Sequence, residues 1–107
     1  MRAAIDPVLL AAAVPARAGE RAFEAGAGTG AAALCLAWRV PGLRVTGIEI
    51  DPALAALAND NARANGVEDR VRFFAGDLRA PPPELAGETF DHVLANPPFL
   101  EDRKSVV

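Results

Sequence analysis

At 107 residues, with 51% hydrophobic and 23% charged side chains, the chain has the size of one domain with a modest core, which excludes a multidomain assembly. Its 11 Lys and Arg against 14 Asp and Glu leave a formal net charge of -3, so no overall basic field draws in a polyanion. The single cysteine, Cys35, excludes an internal disulfide and a cysteine-rich zinc cluster, and with no secretory signal in the sequence a cytoplasmic setting is expected.

Asp6-Pro7 joins an N-cap residue to one preset for the first helical position, which predicts a short core helix from Pro7 to about Val14, ending near Pro15. That apolar stretch is too short to span a bilayer, so no membrane partner is expected. Arg21 to Ala25 reads as a first strand, cut off by Gly26-Ala27-Gly28-Thr29-Gly30, after which an apolar helix runs to Trp38. Pro41-Gly42 ends that helix, and Leu43 to Glu49 reads as a second strand with an acid at its carboxyl end. Asp51-Pro52 repeats the cap-plus-proline start. The helix that follows is expected to present Leu54, Leu57 and Ala58 on one face and to close at Asn65-Gly66. Val71 to Ala75 is a third strand, residues 79 to 89 with Pro81-Pro82-Pro83 are expected to be mostly loop, and Phe90 to Ala95 is a fourth strand running into Asn96-Pro97-Pro98-Phe99.

Strands alternating with helices predict an α/β fold, a Rossmann-like parallel sheet with flanking helices in the strand order 3-2-1-4. In such sheets ligands bind beyond the carboxyl ends of the strands, at the switch point. Glu24, Glu49, Asp77 and Asn96 all fall at predicted strand carboxyl ends, so four polar groups distant in sequence are expected to converge on one crevice. Gly26, Gly28 and Gly30 allow a sharp turn and close backbone approach to a ligand, ahead of a helix whose first N–H groups suit an anion. Glu49, about 20 residues further on, is placed to accept hydrogen bonds from ribose hydroxyls, so the ligand is expected to contain a nucleoside. The loop also satisfies the loose dinucleotide fingerprint, which leaves an NAD(P)-binding oxidoreductase fragment as an alternative. Glu24, two residues before Gly26, argues against it, because an acid aimed into the crevice repels a pyrophosphate and attracts an amino group.

Glu24-Ala25-Gly26-Ala27-Gly28-Thr29-Gly30, followed by Glu49 and Gly76-Asp77, resembles the cofactor site of the class I S-adenosylmethionine-dependent methyltransferases. The resemblance implies S-adenosyl-L-methionine as cofactor. By that likeness Glu24 helps hold the methionine ammonium, Gly26, Gly28 and Gly30 pass against the methionine part, Glu49 binds the ribose hydroxyls and Asp77 contacts the adenine amino group. The first strand reads Ala-Phe-Glu-Ala, where many members have a more aliphatic run ending in Asp.

Asn96-Pro97-Pro98-Phe99 matches the signature of methyltransferases acting on planar exocyclic or amide nitrogens and is the expected catalytic segment. The lone pair of such a nitrogen is delocalised, so the atom is a poor nucleophile until acceptors bond its hydrogens and draw it toward tetrahedral geometry. The Asn96 side-chain oxygen and the Pro97 carbonyl are the candidate acceptors, and Phe99 is the candidate stacking surface for a flipped or single-stranded base. Transfer is then an in-line displacement that needs positioning and electrostatics, with no covalent nucleophile and no metal. Asp6-Pro7-Val8-Leu9-Leu10-Ala11 and Val45 to Asp51 further resemble bacterial tRNA adenine-N6 methyltransferases, which implies tRNA as the partner. Members acting on rRNA guanine N2 or on a protein glutamine amide share the Asn-Pro-Pro-aromatic core and remain alternatives, as does a non-catalytic cofactor-binding module.

Plainer roles are expected elsewhere: Asp51 as an N-cap, Cys35 and Trp38 as core filling, Asn59, Asp60, Asn61 and Asn65 as a solvated helix face, and His92 as a packed or surface residue. Asp77 is equally readable as the cap of a turn. Against the family pattern, four strands before Val107 predict one incomplete methyltransferase domain over residues 1–107, lacking the carboxyl-terminal strands. Much of the substrate wall is then absent, and the isolated chain is expected to be a poor catalyst.

Overall fold

The structure, a computed structural model, describes residues 6–95. The first helix, α1 (Pro7–Ala13), starts where the Asp6 carboxylate accepts the Val8 N–H at 2.8 Å. Strand β1 (Arg21–Ala25) leads through the glycine loop into α2 (Ala31–Arg39), and β2 (Arg44–Glu49) leads into α3 (Pro52–Ala64), which Asp51 caps through the Ala53 N–H at 2.9 Å. Strand β3 (Val71–Ala75) is followed by a single 3-10 turn at Pro83–Leu85 within the proline-rich connection, and then by β4 (His92–Ala95). All strands are parallel and lie in the order β3-β2-β1-β4, as the alternation of elements predicts. The chain steps outward from β1 to β3 and then returns to the far side of β1, which puts the reversal of direction between β1 and β4.

One face of the sheet holds the core. Ala22, Val45, Val71, Phe73 and Leu94 project from it toward Ala32, Ala33, Leu36 and Ala37 of α2 and Ala58 and Ala62 of α3. The helices come close because their inner faces are alanine, and the ring of Phe73 fills the space that Gly30 and Gly47 leave. A Cβ on Gly30 would sit 2.8 Å from that ring, and one on Gly47 would sit 2.6 Å from it.

Several expectations are corrected here. Trp38 is 84% exposed, because α2 buries its alanine stripe and an indole is too large for that interface. It borders a shallow hollow with Leu34, Cys35, Asn65 and Val67, where Cys35 is half-buried against the core. In α3 the inner face is Ala55, Ala58 and Ala62, leaving Leu57 44% exposed and Leu54 half-buried. α1 is only partly a core helix, with Ala11 buried and Val8 and Leu9 exposed. Asn59 is not on a solvated face: its side-chain amide donates to the Phe73 carbonyl at 2.9 Å and accepts the Phe73 N–H at 3.0 Å. Asn61 also reaches inward, donating to the Thr29 carbonyl at 3.0 Å. The fourth strand starts later than expected, because Asp91 forms a bend locked to Arg21, accepting the Arg21 N–H at 2.9 Å and donating its own N–H to the Arg21 carbonyl at 2.8 Å. Phe90 leaves the ladder to pack on Phe23, with ring centroids 5.2 Å apart. His92 takes the packed role expected of it, with Nε2 2.8 Å from a Glu20 carboxylate oxygen.

Candidate cofactor site at the carboxyl rim of the sheet

The site begins where β1 runs out. The N–H groups of Gly26 and Ala27 both donate to the Ile48 carbonyl, at 2.9 and 3.0 Å, so the loop is pinned to β2 from its first residue. Gly26, Gly28 and Gly30 then take positive φ angles of 70, 60 and 89°, the left-handed region that glycine enters without penalty. Among the described residues no neighbouring atom lies within 4 Å of where a Cβ on Gly26 or Gly28 would stand, so this stretch of backbone is open to close approach.

Glu49, at the end of β2, is 7% exposed and ties the site together. One carboxylate oxygen accepts the Gly28 N–H at 2.7 Å and the other accepts the Asp51 N–H at 3.0 Å, so a single side chain bridges the turns leading into α2 and α3. Each oxygen keeps acceptor capacity for a second donor.

Glu24 points to the same face of the sheet as Glu49, since it pairs with Gly47 two residues earlier on β2. It is 2% exposed, and its Oε1 has no hydrogen-bond partner among the described residues. Burial pushes its carboxyl up to about 8; the Ala33 N–H pulls the other way, and the charge of Glu49 pushes further up. A buried acceptor without a donor is costly in a folded chain and is the mark of a group that awaits a ligand.

Asp77 follows β3 by two residues. It accepts the Arg79 N–H at 2.9 Å and pairs with the Arg79 guanidinium at 2.7 Å, which holds its carboxyl down at about 2. It therefore both caps a turn and stands at the rim. Ile50 and Leu78, directly after Glu49 and Asp77, are exposed apolar side chains next to two of the acids.

Glu24, Glu49 and Asp77 thus stand on or just beyond three adjacent strand ends, in the order of the strands themselves. Ala95, the last residue of β4, lies in register with Ala25, so β4 ends level with the glycine loop. The expected catalytic residues Asn96, Pro97, Pro98 and Phe99 lie outside the described residues. Three contributors were not anticipated from sequence. Gly47 had a signal, a lone glycine within a β-branched strand, which marks close approach of a neighbour. Arg79 and Asn59 had none beyond their polarity. A second hollow, lined by Arg21, Arg44, Arg70 and Arg72, opens at the amino ends of the strands, away from the acids. There Arg21 pairs with Glu88, and Arg70 is spent on the Ala37, Val40 and Leu43 carbonyls.

The residues fit an aminoacyl nucleoside such as S-adenosylmethionine. An orphaned buried carboxyl oxygen suits an ammonium, open glycine backbone allows a close chain, the Glu49 carboxylate suits vicinal hydroxyls, and the Asp77 carboxylate at the rim, followed by the exposed Leu78, suits a purine amino group.

A family model described as the methyltransferase small domain matches residues 4–107. A tRNA1(Val) (adenine(37)-N6)-methyltransferase from Porphyromonas gingivalis is 41% identical over 111 residues, covering 94% of this chain and 42% of that protein. A release factor glutamine methyltransferase from Chlorobaculum tepidum is 37% identical over 81 residues, covering 75% of this chain and 28% of that protein. The chain therefore spans less than half the length of these curated relatives. Among solved structures, a SAM-dependent methyltransferase from Thiobacillus denitrificans in complex with S-adenosyl-L-homocysteine superposes with a TM-score of 0.70 at 28% identity, over 83% of this chain and 34% of that one.

Proposed function

Because the chain belongs to the methyltransferase small-domain family, we propose that it is the cofactor-binding part of an N-methyltransferase domain that modifies adenine N6 in tRNA, in the cytoplasm. Its cofactor is S-adenosyl-L-methionine, which supplies an electrophilic methyl group on a sulfonium when bound. The observation that carries the reading is the alignment of Glu24, Glu49 and Asp77 along one rim, with a buried oxygen of Glu24 that has no partner among the described residues. In this reading Glu24 holds the ammonium and the backbone at Gly26, Gly28 and Gly30 lines the amino acid portion. Glu49 takes the ribose hydroxyls on its remaining lone pairs, and Asp77 takes the adenine amino group.

The chemical step belongs to the segment after β4. Asn96 and the Pro97 carbonyl accept the hydrogens of the target nitrogen, Pro98 completes the motif, and Phe99 stacks on the base. Ala95, the last described residue before that segment, stands in register with Ala25 beside the glycine loop, which supports a donor and an acceptor meeting there. The NAD(P) reading is disfavoured by Glu24, whose buried carboxyl faces the place a pyrophosphate would need.

The likeness to the tRNA enzyme extends over 94% of the chain and that to the glutamine enzyme over 75%, which favours the nucleic-acid substrate. A protein glutamine amide is the second reading, favoured by the same planar-nitrogen chemistry. The test is transfer of labelled methyl from S-adenosylmethionine by the full-length gene product, offered tRNA, rRNA and release factor separately. N6-methyladenosine in digested tRNA is the expected product. Label found only in release factor or in rRNA guanine overturns the tRNA assignment, and tight binding of NAD in place of S-adenosylmethionine overturns the family chemistry.

A further inference from the structure

Glu24 has an environment that a permanent carboxylate would not tolerate. Its side chain is buried where β1 meets β2 and the start of α2, and Oε1 meets no donor among the described residues. The charged groups around it offer no relief among the described residues. On β2 the charge facing it is Glu49, of the same sign, whose oxygens are both engaged by backbone N–H groups. On α2 the only charged residue is Arg39, at the far end, donating to the Ala11 and Val14 carbonyls. On β4 the titratable residue on the same face is His92, level with Ala22 and paired to Glu20. The glycine loop carries no charge.

We infer that capture of the cofactor discharges a proton: Glu24 is a neutral carboxylic acid in the free protein and becomes the carboxylate partner of the ligand's ammonium, so binding is gated by pH. This rests on the cofactor reading above and extends it. The step balances as Glu24-COOH plus R-NH3+ giving the ion pair Glu24-COO-/R-NH3+ and one proton released to solvent. The value of about 8 toward which burial pushes Glu24 accords with it, since the acid is then mostly protonated at neutral pH. The arrangement also discriminates. A ligand without a cation at this position gains nothing from ionising Glu24, and one bearing an anion there faces the charge of Glu49.

With one proton lost per ligand, the dissociation constant falls about tenfold for each pH unit below the Glu24 value and levels off as that value is reached. Above about pH 8 the ligand's own α-amino group deprotonates and affinity declines again. The test is isothermal titration of the whole chain with S-adenosylmethionine between pH 6 and 7.5, in buffers of different ionisation enthalpy. Proton release of about 0.5 to 1 per ligand at pH 7 is expected, with affinity rising by roughly tenfold from pH 6 to 7. 5′-Methylthioadenosine, which lacks the ammonium, is expected to bind without releasing a proton. Glu24→Gln should bind S-adenosylmethionine more weakly, with no release and no pH dependence in this window. Binding that is pH-independent and releases no proton in the unaltered chain overturns the inference while leaving the cofactor assignment standing. Absence of S-adenosylmethionine binding at every pH overturns both.

Discussion

Gly30 and Gly26 share a left-handed backbone but differ in what surrounds them, so the same substitution separates two costs. Gly30→Ala adds a methyl 2.8 Å from the Phe73 ring at a φ of 89°, and about 2–4 kcal/mol of destabilisation is expected from strain and overpacking together. Gly26→Ala meets nothing within 4 Å, so only the backbone cost of about 1 kcal/mol applies. Its methyl group projects from the open side of the loop, and weaker S-adenosylmethionine binding is expected. Denaturant melts of the two variants, read beside their binding isotherms, check both statements. Glu24 adds a pH dependence of its own. Its carboxyl is raised from 4.5 to about 8 on folding, so the folded form binds more protons than the unfolded chain in that interval, and stability falls as pH rises through it. The melting temperature of the unliganded chain is expected to drop between pH 5 and 8, with a smaller drop in Glu24→Gln. An equal drop in both would show that Glu24 is ionised in the folded chain. That Glu24, the three glycines, Glu49 and Asp77 gather along one edge as a candidate site was legible because a parallel sheet delivers every strand's carboxyl end to the same edge. The Asp77–Arg79 pair was not, since nothing in the local pattern distinguishes it from two solvated charges.

At the level of elements, α3 does more than cover the sheet. Strand β3 is an edge, and the backbone N–H and carbonyl of Phe73 face away from β2. Asn59 satisfies both with one amide, acting as a one-residue substitute for a neighbouring strand. Asn59→Ala leaves that donor and acceptor without partners and should destabilise the chain by about 1–3 kcal/mol, while Asn59→Asp keeps only the acceptor and should cost nearly as much. Thermal melts give the values, at about 4–8 °C per kcal/mol for a domain of this size. The two tryptophan and phenylalanine positions form a contrast on the same scale. Phe73→Ala, in the packed centre, should cost about 3–5 kcal/mol, whereas Trp38→Ala should change stability by less than about 0.5 kcal/mol. Element order and type were readable because the caps, Asp6-Pro7 and Asp51-Pro52, and the glycine and proline stops are local signals. The buried faces of α2 and α3 were not. In helices this rich in alanine and leucine both residue types read as apolar, and the alanines win the interface because they allow closer approach.

Across the whole molecule the sheet is covered unequally. Both α2 and α3 lie on the side of Val45, Val71 and Phe73, while Phe23, Thr46, Ile48 and Phe74 project to the other side, under the connection that carries Pro82 and Phe90. On β4 that side shows Val93, 70% exposed on the strand that stands at the edge among the described residues. Such an edge favours association. Val93→Lys is expected to reduce concentration-dependent self-association in sedimentation velocity while shifting the melting temperature by no more than a few degrees.

The level finish of β1 and β4, Ala25 beside Ala95, has a consequence for how such a protein diversifies. A one-residue slip of β4 would carry whatever follows it about 3.3 Å along the strand axis and reverse the side on which each residue emerges. In the proposed reading, the residues that grip the methyl donor follow the first three strands, and the target is met by residues after the fourth. Evolution can therefore exchange a nucleobase for an amide by rewriting one side of a fixed junction, provided the spacing across it is never edited.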